Sequence, residues 1–357
     1  MILRSLFSGD MPRSRVLTVL LLLILAGLLL TPFVFPGAKS INVAAKICIF
    51  IVLVSSFDLV LGYTGIVSFA HTMFFGIGAY GVAIALTHLG PTWGAVATGV
   101  AVALVLSLVL SLVIGLFSLR VKAMFYAMIT LAVATAFMTL ASQLSDLTGG
   151  EDGLSFKVPT ILQPSFSLRE APFLGVSLDG KLISFYLLMA VTVVLFLVML
   201  RIVNSPFGRV LQAIRENEFR AEALGYRTVV YRTVSNVLSA LFATLAGCLL
   251  AMWLRYNGPD TSLSFEIMID ILLMVVIGGM GTMYGSVVGA TLFLVAQNYL
   301  QDLMKLGSNA ASGVPFLRNL LAPDRWMLWL GLLFILSVYK FPTGIVGKLR
   351  ARLRSAI

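Results

Sequence analysis

Ten apolar stretches, most of them about as long as a membrane is thick, recur along this chain. An α-helix crosses the roughly 30 Å hydrocarbon core with about 20 apolar residues. The stretches lie near residues 16–34, 41–61, 66–89, 92–119, 123–144, 182–203, 233–253, 267–281, 286–306 and 326–341. Because 59% of the 357 residues are hydrophobic and 11% are charged, composition excludes a water-soluble domain. The sequence predicts an all-α polytopic membrane protein of about ten transmembrane helices, with residues 1–357 forming one transmembrane domain.

Basic residues at the ends of these stretches predict the orientation of the chain. Lys and Arg concentrate in the cytoplasmic loops of membrane proteins. They cluster before residue 16, at 120–122, in the loop 201–232 and in the tail 340–354, whereas the loop 145–181 carries carboxylates. We expect both termini and the 201–232 loop in the cytoplasm, and the 145–181 loop outside. We also expect the first span to be retained, because it is long for a signal peptide and no small-residue cleavage site follows it.

Two sequence patterns that are typical of nucleotide-binding enzymes occur here without the neighbouring residues that such sites require. Gly76-Ile-Gly-Ala-Tyr-Gly81 matches the dinucleotide pattern, but no strand precedes it, and such glycines let membrane helices approach closely. Gly180-Lys181 ends a run like a nucleotide-binding loop, but Leu182 replaces the Ser or Thr that would hold Mg²⁺. The two histidines, His71 and His88, indicate no metal site. The net charge is +10, but the basic residues lie at the ends of apolar stretches and do not indicate a nucleic-acid surface. A transporter or channel is favoured.

The loop 201–232 contains a predicted surface helix. Ser205 followed by Pro206 is typical of a helix start, and Gly225 offers a C-terminal cap. One helix is therefore predicted between Ser205 and Gly225, with an apolar face that includes Leu211 and Leu224 and a charged face that includes Arg209 and Arg215. It is either a solvated loop that fixes topology or a docking surface for a cytoplasmic partner.

Two glycine-rich breaks and several polar residues mark the apolar stretches. Gly62-Tyr-Thr-Gly65 and Gly278-Gly-Met-Gly281 interrupt them, either for tight helix packing or as broken helices beside a substrate path. Carboxylates such as Asp58 and Asp270 cost about 2.5 to 3.5 kcal/mol at membrane depth, so they need a reason. Either one lies at the membrane interface, since Asp58 is near Gly62 and Asp270 follows Glu266, or it has a role within the membrane. His71 is a structural residue or a hydrogen-bonding group for a polar solute.

Nine short motifs are distributed over nearly the whole chain. They are Leu61-Gly-Tyr-Thr-Gly65, Ser68-Phe-Ala-His71, Phe75-Gly-Ile-Gly-Ala-Tyr80, Thr148-Gly-Gly-Glu-Asp-Gly153, Ser205-Pro-Phe-Gly-Arg209, Ala213-Ile-Arg-Glu-Asn217, Ala221-Glu-Ala-Leu-Gly225, Val276-Ile-Gly-Gly-Met-Gly281 and Phe341-Pro-Thr-Gly-Ile-Val-Gly347. Together they resemble the permeases of branched-chain amino acid ATP-binding cassette (ABC) transporters. The resemblance implies a fold like that of type II ABC importer permeases.

The resemblance also implies partners and a reaction. We expect a bacterial inner-membrane permease subunit that moves leucine, isoleucine or valine into the cytoplasm by alternating access. Its partners would be a second related permease, two cytosolic ATPases, a periplasmic binding protein and the lipid bilayer. ATP and Mg²⁺ would bind to the ATPases, so this chain would hold no cofactor and would not be an enzyme. The 201–232 loop would carry the helix that couples to the ATPases.

Three sets of candidate site residues follow from these interpretations. ATPase coupling is assigned to Ser205, Gly208, Arg209, Ile214, Arg215, Glu216, Asn217, Glu222 and Gly225. The translocation path is assigned to Asp58, Tyr63, Gly65, Ser68, His71, Tyr80, Asp270, Gly279 and Gly281. Docking of the binding protein is assigned to Glu151 and Asp152 in the outer loop.

Two other functions stay open at this stage. Similar permeases serve urea or short-chain amides, and no residue of this chain specifies the substrate side chain. A self-sufficient secondary transporter would instead use Asp58, His71 and Asp270 as an ion or proton relay. Dependence of uptake on ATP or on an ion gradient distinguishes these classes.

Overall fold

The computed structural model describes residues 14–35, 37–118, 123–167, 179–310, 319–320 and 322–354. Its helices are α1 (Arg15–Val34), α2 (Ala38–Thr64), α3 (His71–Leu89), α4 (Trp93–Ser118), α5 (Ala123–Gln143), α6 (Gly180–Asn204), α7 (Pro206–Glu216), α8 (Glu218–Ala223), α9 (Thr228–Leu254), α10 (Phe265–Gly278), α11 (Met283–Ala310), α12 (Trp326–Lys340) and α13 (Gly344–Arg354). Short turns lie at Ser145–Thr148, Gly150–Asp152, Thr160–Leu162, Pro259–Ser262 and Pro323–Arg325. Strands β1 (Leu154–Ser155) and β2 (Tyr256–Asn257) pair antiparallel. The all-α fold class is confirmed.

Within the described ranges, nine helical segments are long and apolar enough to cross a membrane. Helix α11 is not among them, because its second half carries polar residues such as Gln297, Asp302 and Lys305. It is nevertheless 28 residues long and packs against α2 and α10. With α11, the helices of the described chain overlap all ten predicted stretches, so the chain is a multi-pass membrane protein.

Helix α2 forms the core of the bundle. In its most apolar 18-residue stretch, 94% of the residues are buried. It packs against α6, α9, α10 and α11. In α1 and in the segment that contains α12, the corresponding values are only 17% and 11%. Apolar helices exposed in this way face lipid or another subunit.

Glycines bring the backbones of α3 and α9 into contact. A Cβ atom at Gly78 would overlap the carbonyl oxygen of Thr244, and one at Gly247 would overlap that of Phe75. Small residues permit such close packing between membrane helices. The packing interpretation of the Gly76–Gly81 run is therefore confirmed at Gly78.

The loops at one end of the bundle form a compact cap around the β1–β2 pair. Gly149 and Gly153 adopt positive φ angles of 75° and 70°, which an L side chain rarely adopts. The Tyr256 hydroxyl donates to the carbonyl oxygen of Asp152 at 3.1 Å. The tight turn predicted around residues 149–153 is confirmed.

Arg255 connects the cap to another part of the same loop. Its Nη2 donates to Leu162 O at 3.1 Å, and burial lowers the pKa of its guanidinium. Residues 168–178 of the predicted 145–181 loop, with Glu170, lie outside the described residues.

Two sequence predictions about helix boundaries were wrong. The single helix predicted from Ser205 to Gly225 is two helices, α7 and α8, separated at Asn217. The Asn217 side chain accepts a hydrogen bond from the Arg220 amide at 3.0 Å, because Asn readily caps a new helix in place of continuing the old one. The third span begins at His71 and not at 66, since Gly65 ends α2 in the left-handed conformation and residues 66–70 form a loop.

Candidate functional site

The charged 201–232 loop, called the central segment below, is attached to the membrane bundle by Arg215. Nη1 of Arg215, near the end of α7, donates a hydrogen bond to the carbonyl oxygen of Gly62 in the last turn of α2. The carbonyls of a helix C-terminus have no partner within the helix and carry partial negative charge. A guanidinium is well suited to such an acceptor because its charge and its N–H donors act together. The contact joins the most buried helix to the most polar segment.

A second hydrogen bond at the same place holds the break between α10 and α11. The amide of Gly281 donates to Oδ1 of Asp58 at 2.8 Å, and Asp58 is fully buried in α2. The break leaves backbone groups without helical partners, and the carboxylate satisfies one of them. Oδ2 of Asp58 is buried without a hydrogen-bond partner among the described residues. We call Asp58, Gly62, Arg215 and Gly281 the junction.

Glycine is required at two positions of the junction. A Cβ at Gly62 would overlap both Oδ1 of Asp58 and the amide nitrogen of Gly281. Gly281 has a φ of 77°, and a Cβ there would lie 2.7 Å from Nη1 of Arg215. Gly65 lies beside the junction, and a Cβ there would lie 3.3 Å from Cγ of Arg215. Three predicted path residues, Asp58, Gly65 and Gly281, are therefore brought together with a predicted coupling residue.

The C-terminal helix α13 closes the junction from another side. Gly279 has a φ of 120°, and a Cβ at Gly344 would overlap the Gly279 backbone. Val346 on α13 is fully buried. Helix α13 contacts both α10 and α11, so the predicted path residue Gly279 packs against the C-terminal segment.

Helix α7 lies with one face against the bundle. The Ser205 hydroxyl accepts from the Gly208 amide at 3.5 Å, which confirms the predicted helix start. Leu211 and Ile214 are buried, and a Cβ at Gly208 would overlap Val203 O. The apolar face of the central segment is thus occupied by this chain's own residues, contrary to the docking interpretation of that face. Ile214 and Gly208 hold α7 in place.

The opposite side of the central segment is exposed. Arg209, Glu216 and Asn217 are exposed, and so is Glu222, whose Oε1 accepts from Thr228 Oγ1 at 2.8 Å. Gly225, with a φ of 89°, ends α8 as predicted. Its amide donates to Glu222 O at 2.8 Å, and the Tyr226 amide donates to Ala221 O at 3.2 Å. These two bonds form a Schellman motif.

Two large apolar side chains, one in α8 and one just after it, are exposed. Phe219 is 86% exposed and Leu224 is 72% exposed. The sequence analysis missed Phe219, and it placed Leu224 on the same apolar face as the now buried Leu211 because one continuous helix was assumed. The restart at Asn217 rotates α8 relative to α7, and Ala221 becomes its buried residue. Both side chains lie beside the exposed charged residues of the same segment.

His71 makes a structural hydrogen bond inside the bundle. Its Nε2 lies 2.8 Å from the Ser56 hydroxyl oxygen, and its ring lies 5.2 Å from the Phe57 ring. The Ser56 hydroxyl donates to Leu53 O at 2.7 Å, so the histidine nitrogen is the donor to Ser56. His71 is buried and has a partner, which matches the structural alternative for this residue.

The other predicted path residues do not share one site. Tyr63 and Ser68 are buried at the end of the bundle that carries the junction. Tyr80 lies nine residues after His71 on α3, about 13 Å along the helix. Its hydroxyl is buried without a partner among the described residues, at an apolar groove of about 470 Å³ between α3, α4 and α5.

Asp270 lies away from the junction, on α10. Its Oδ2 accepts from the Gln297 side chain of α11 at 3.2 Å, and both residues are half-buried. The sequence analysis singled out Asp270 but missed Gln297, because only folding brings these two positions together. Glu151 and Asp152, the predicted docking residues, are exposed in the cap at the other end of the bundle.

Comparison with known proteins identifies the family. The family described as "Branched-chain amino acid transport system / permease component" matches residues 40–338. The chain belongs to this family. The match covers the junction, the central segment and the α10–α11 break. The residues that form the junction therefore lie within the matched region of this permease.

Named relatives agree with this assignment. The permease protein LivM of the high-affinity branched-chain amino acid transport system of Salmonella typhimurium is 28% identical over 334 residues, covering 88% of this chain and 72% of the relative. LivM of Escherichia coli is 27% identical, covering 93% and 76%. BraD of Pseudomonas aeruginosa, the permease protein of a system of the same description, is 26% identical, covering 82% and 89%. No solved structure matches the chain.

The junction predicts opposite effects for two substitutions of Asp58. Asp58→Ala leaves the Gly281 amide without its acceptor and is expected to destabilise the permease by about 1–3 kcal/mol. Asp58→Asn keeps an oxygen acceptor and removes a buried charge, so we expect it to be at least as stable as the wild type. Thermal unfolding of the detergent-solubilised protein measures both.

Asp302→Ala is the matched control, because Asp302 pairs with Lys39 at an exposed position. We expect this control to change stability by less than about 1 kcal/mol. Equal unfolding temperatures for Asp58→Ala and Asp58→Asn would show that the hydrogen bond to Gly281 does not hold the break.

Proposed function

We propose that this permease is the membrane subunit of an ABC importer that carries branched-chain amino acids into the cytoplasm. The family match over residues 40–338 carries the proposal. Relatives from three bacteria bear names that specify high-affinity branched-chain amino acid transport. The chain would lie in the bacterial inner membrane with both termini in the cytoplasm. The basic central segment and the basic end of the chain support this orientation.

In this proposal the central segment receives the force of two cytosolic ATPases. ATP and Mg²⁺ bind to those subunits, and this chain binds the motor protein. The exposed charged residues Arg209 and Glu216 and the exposed Phe219 and Leu224 form the contact surface. An apolar anchor with a charged rim is the usual composition of such a surface.

Movement reaches the membrane through the junction. When ATP closes the motor subunits, α7 is displaced, and Arg215 transmits the displacement to the end of α2 through Gly62. Asp58 passes it to the α10–α11 break through Gly281. The change of access at the two membrane faces is a rigid-body rearrangement of packed helices, which are bistable and not continuously deformable.

The opposite end of the bundle would receive the loaded binding protein. Glu151 and Asp152 project from a turn fixed by glycines and by the β1–β2 pair. A rigid turn keeps the two carboxylates in a constant position for a basic partner surface. A second, related permease would cover apolar helices that this chain leaves exposed.

Uptake by the reconstituted transporter tests the proposed function. The permease is placed in proteoliposomes with its second permease, the ATPases and the binding protein, and radiolabelled leucine is supplied outside. We expect uptake to require ATP on the side of the membrane where the ATPases bind. Collapse of ion gradients should leave the uptake unchanged. Uptake driven by an ion gradient without ATP would identify a secondary transporter, and selective uptake of urea or amides would change the substrate.

Arg215→Ala is expected to separate ATP hydrolysis from transport. Loss of the Gly62 contact should lower leucine uptake about tenfold, equivalent to about 1.4 kcal/mol of coupling. The rate of ATP hydrolysis should stay within about twofold of the wild type, because the proposed contact residues Arg209, Glu216, Phe219 and Leu224 are unchanged. Arg227→Ala, at an exposed position after α8, serves as the control for loss of one positive charge. Normal transport by Arg215→Ala would contradict the role of the junction.

A further inference from the structure

Asp270 and Gln297 form a polar pair at membrane depth. The Gln297 amide donates to the Asp270 carboxylate at 3.2 Å across the α10–α11 interface. Gln297 lies near the middle of the 28-residue helix α11, about 20 Å from its start. Asp270 lies in the segment Pro259–Gly278, which is long and apolar enough to cross a membrane. The pair is therefore inside a candidate membrane span.

The negative charge of this pair is not neutralised within the described part of the chain. Among the described residues, the ion pairs join Lys39 to Asp302 and Arg232 to Glu218, and neither includes Asp270. Asp270 has only a neutral amide as its partner. A carboxylate at the centre of a membrane span costs about 2.5–3.5 kcal/mol, so an unpaired carboxylate inside a span calls for a cation partner.

The same face is not covered by the rest of the chain. Glu266, one turn before Asp270, is exposed, and the adjacent Ile269 is 41% exposed. Leu273, one turn further along α10, is half-buried. The half-exposed carboxylate is thus accessible to a cationic group, and the apolar side chains beside it are accessible to an apolar body on the same molecule.

We propose that Asp270 and Gln297 are the point at which the translocated amino acid is held within the membrane domain. The Asp270 carboxylate accepts hydrogen bonds from the substrate ammonium. Gln297 has two amide hydrogens, of which one is donated to Asp270 and the second is available for the substrate carboxylate. This inference rests on the proposed function and names the side chains that recognise the substrate within it.

The arrangement explains how one path serves several side chains. The polar pair contacts the groups that all amino acids share, and apolar neighbours such as Leu273 contact the variable part. An apolar surface distinguishes one methylene by only about 1–3 kcal/mol. The permease therefore selects for a zwitterion and accepts leucine, isoleucine and valine alike.

Substitution of the pair in the reconstituted transporter tests this assignment. Asp270→Asn and Gln297→Leu are each expected to lower leucine uptake about tenfold at saturating binding protein. Stimulation of ATP hydrolysis by the loaded binding protein should stay within about twofold, because the junction and the proposed contact surface for the ATPases are unchanged. Asp302→Asn, on the same helix and paired with Lys39, should leave both rates within about twofold. Wild-type uptake by Asp270→Asn and Gln297→Leu would overturn the proposal.

Thiol labelling decides the question even where one of these variants fails to assemble. Gln297→Cys is made in a chain whose buried Cys48 and Cys248 are replaced by Ala. A charged, water-soluble methanethiosulfonate forms a mixed disulfide with an accessible thiol and releases methanesulfinate. We expect Gln297→Cys in the assembled transporter to react, and leucine delivered by the binding protein to slow the reaction.

Leu292→Cys on the same helix is the control, because Leu292 is 44% exposed but lacks a polar neighbour of this kind. It should not react. If Gln297→Cys reacts no faster than Leu292→Cys, the face lies against lipid or the second permease, and the proposal is wrong. If the wild-type complex takes up no leucine but Gln297→Cys still reacts, the proposed substrate fails while the water-accessible site remains.

Discussion

The hydrogen bond between the Gly281 amide and the buried Asp58 carboxylate is the contact on which the rest of the structure depends. It allows the chain to leave α10 and enter α11 beside the most buried helix of the bundle. Without an acceptor, the free amide would carry the desolvation cost that keeps irregular backbone out of membrane interiors. Asp58 is thereby placed one turn from Gly62, where the central segment attaches. One turn of α2 thus connects three parts of the chain.

Glycine makes this concentration of contacts possible. Gly62 and Gly281 lie so close that a methyl group on either would displace the carboxylate or the guanidinium. Gly344 and Gly279 bring the C-terminal helix to the same place. Because interiors are close-packed, a shift of one member must move the others or break their contacts. The junction therefore acts as one rigid body that links the surface segment to the spans.

The sequence predicted elements whose causes are local. Apolar length predicted the spans, Ser205 and Pro206 predicted the start of α7, and Gly225 predicted the end of α8. The wrong prediction of one continuous helix came from a local competition as well, because Asn217 caps a new helix instead of extending the old one.

Contacts between distant residues could not be predicted from the sequence. Arg215 and Gly62 are 153 residues apart, and Asp58 and Gly281 are 223 apart. Periodicity does not indicate which exposed arginine reaches a carbonyl, nor that Asp270 meets Gln297. The roles of the coupling, path and docking residues stay predictions. The structure changes their grouping, because Asp58, Gly65 and Gly281 belong with Arg215, whereas His71, Tyr80 and Asp270 occupy separate places.

The distance between the central segment and the α10–α11 break tests the rigid junction most directly. Spin labels at the exposed positions Gln212 and Met280 report this distance by electron paramagnetic resonance in the assembled transporter. We predict the same distance distribution in the nucleotide-free and ATP-bound states, because α7 and the break move together. A shift of the distribution on ATP binding would show that α7 moves independently of the spans and would contradict the account.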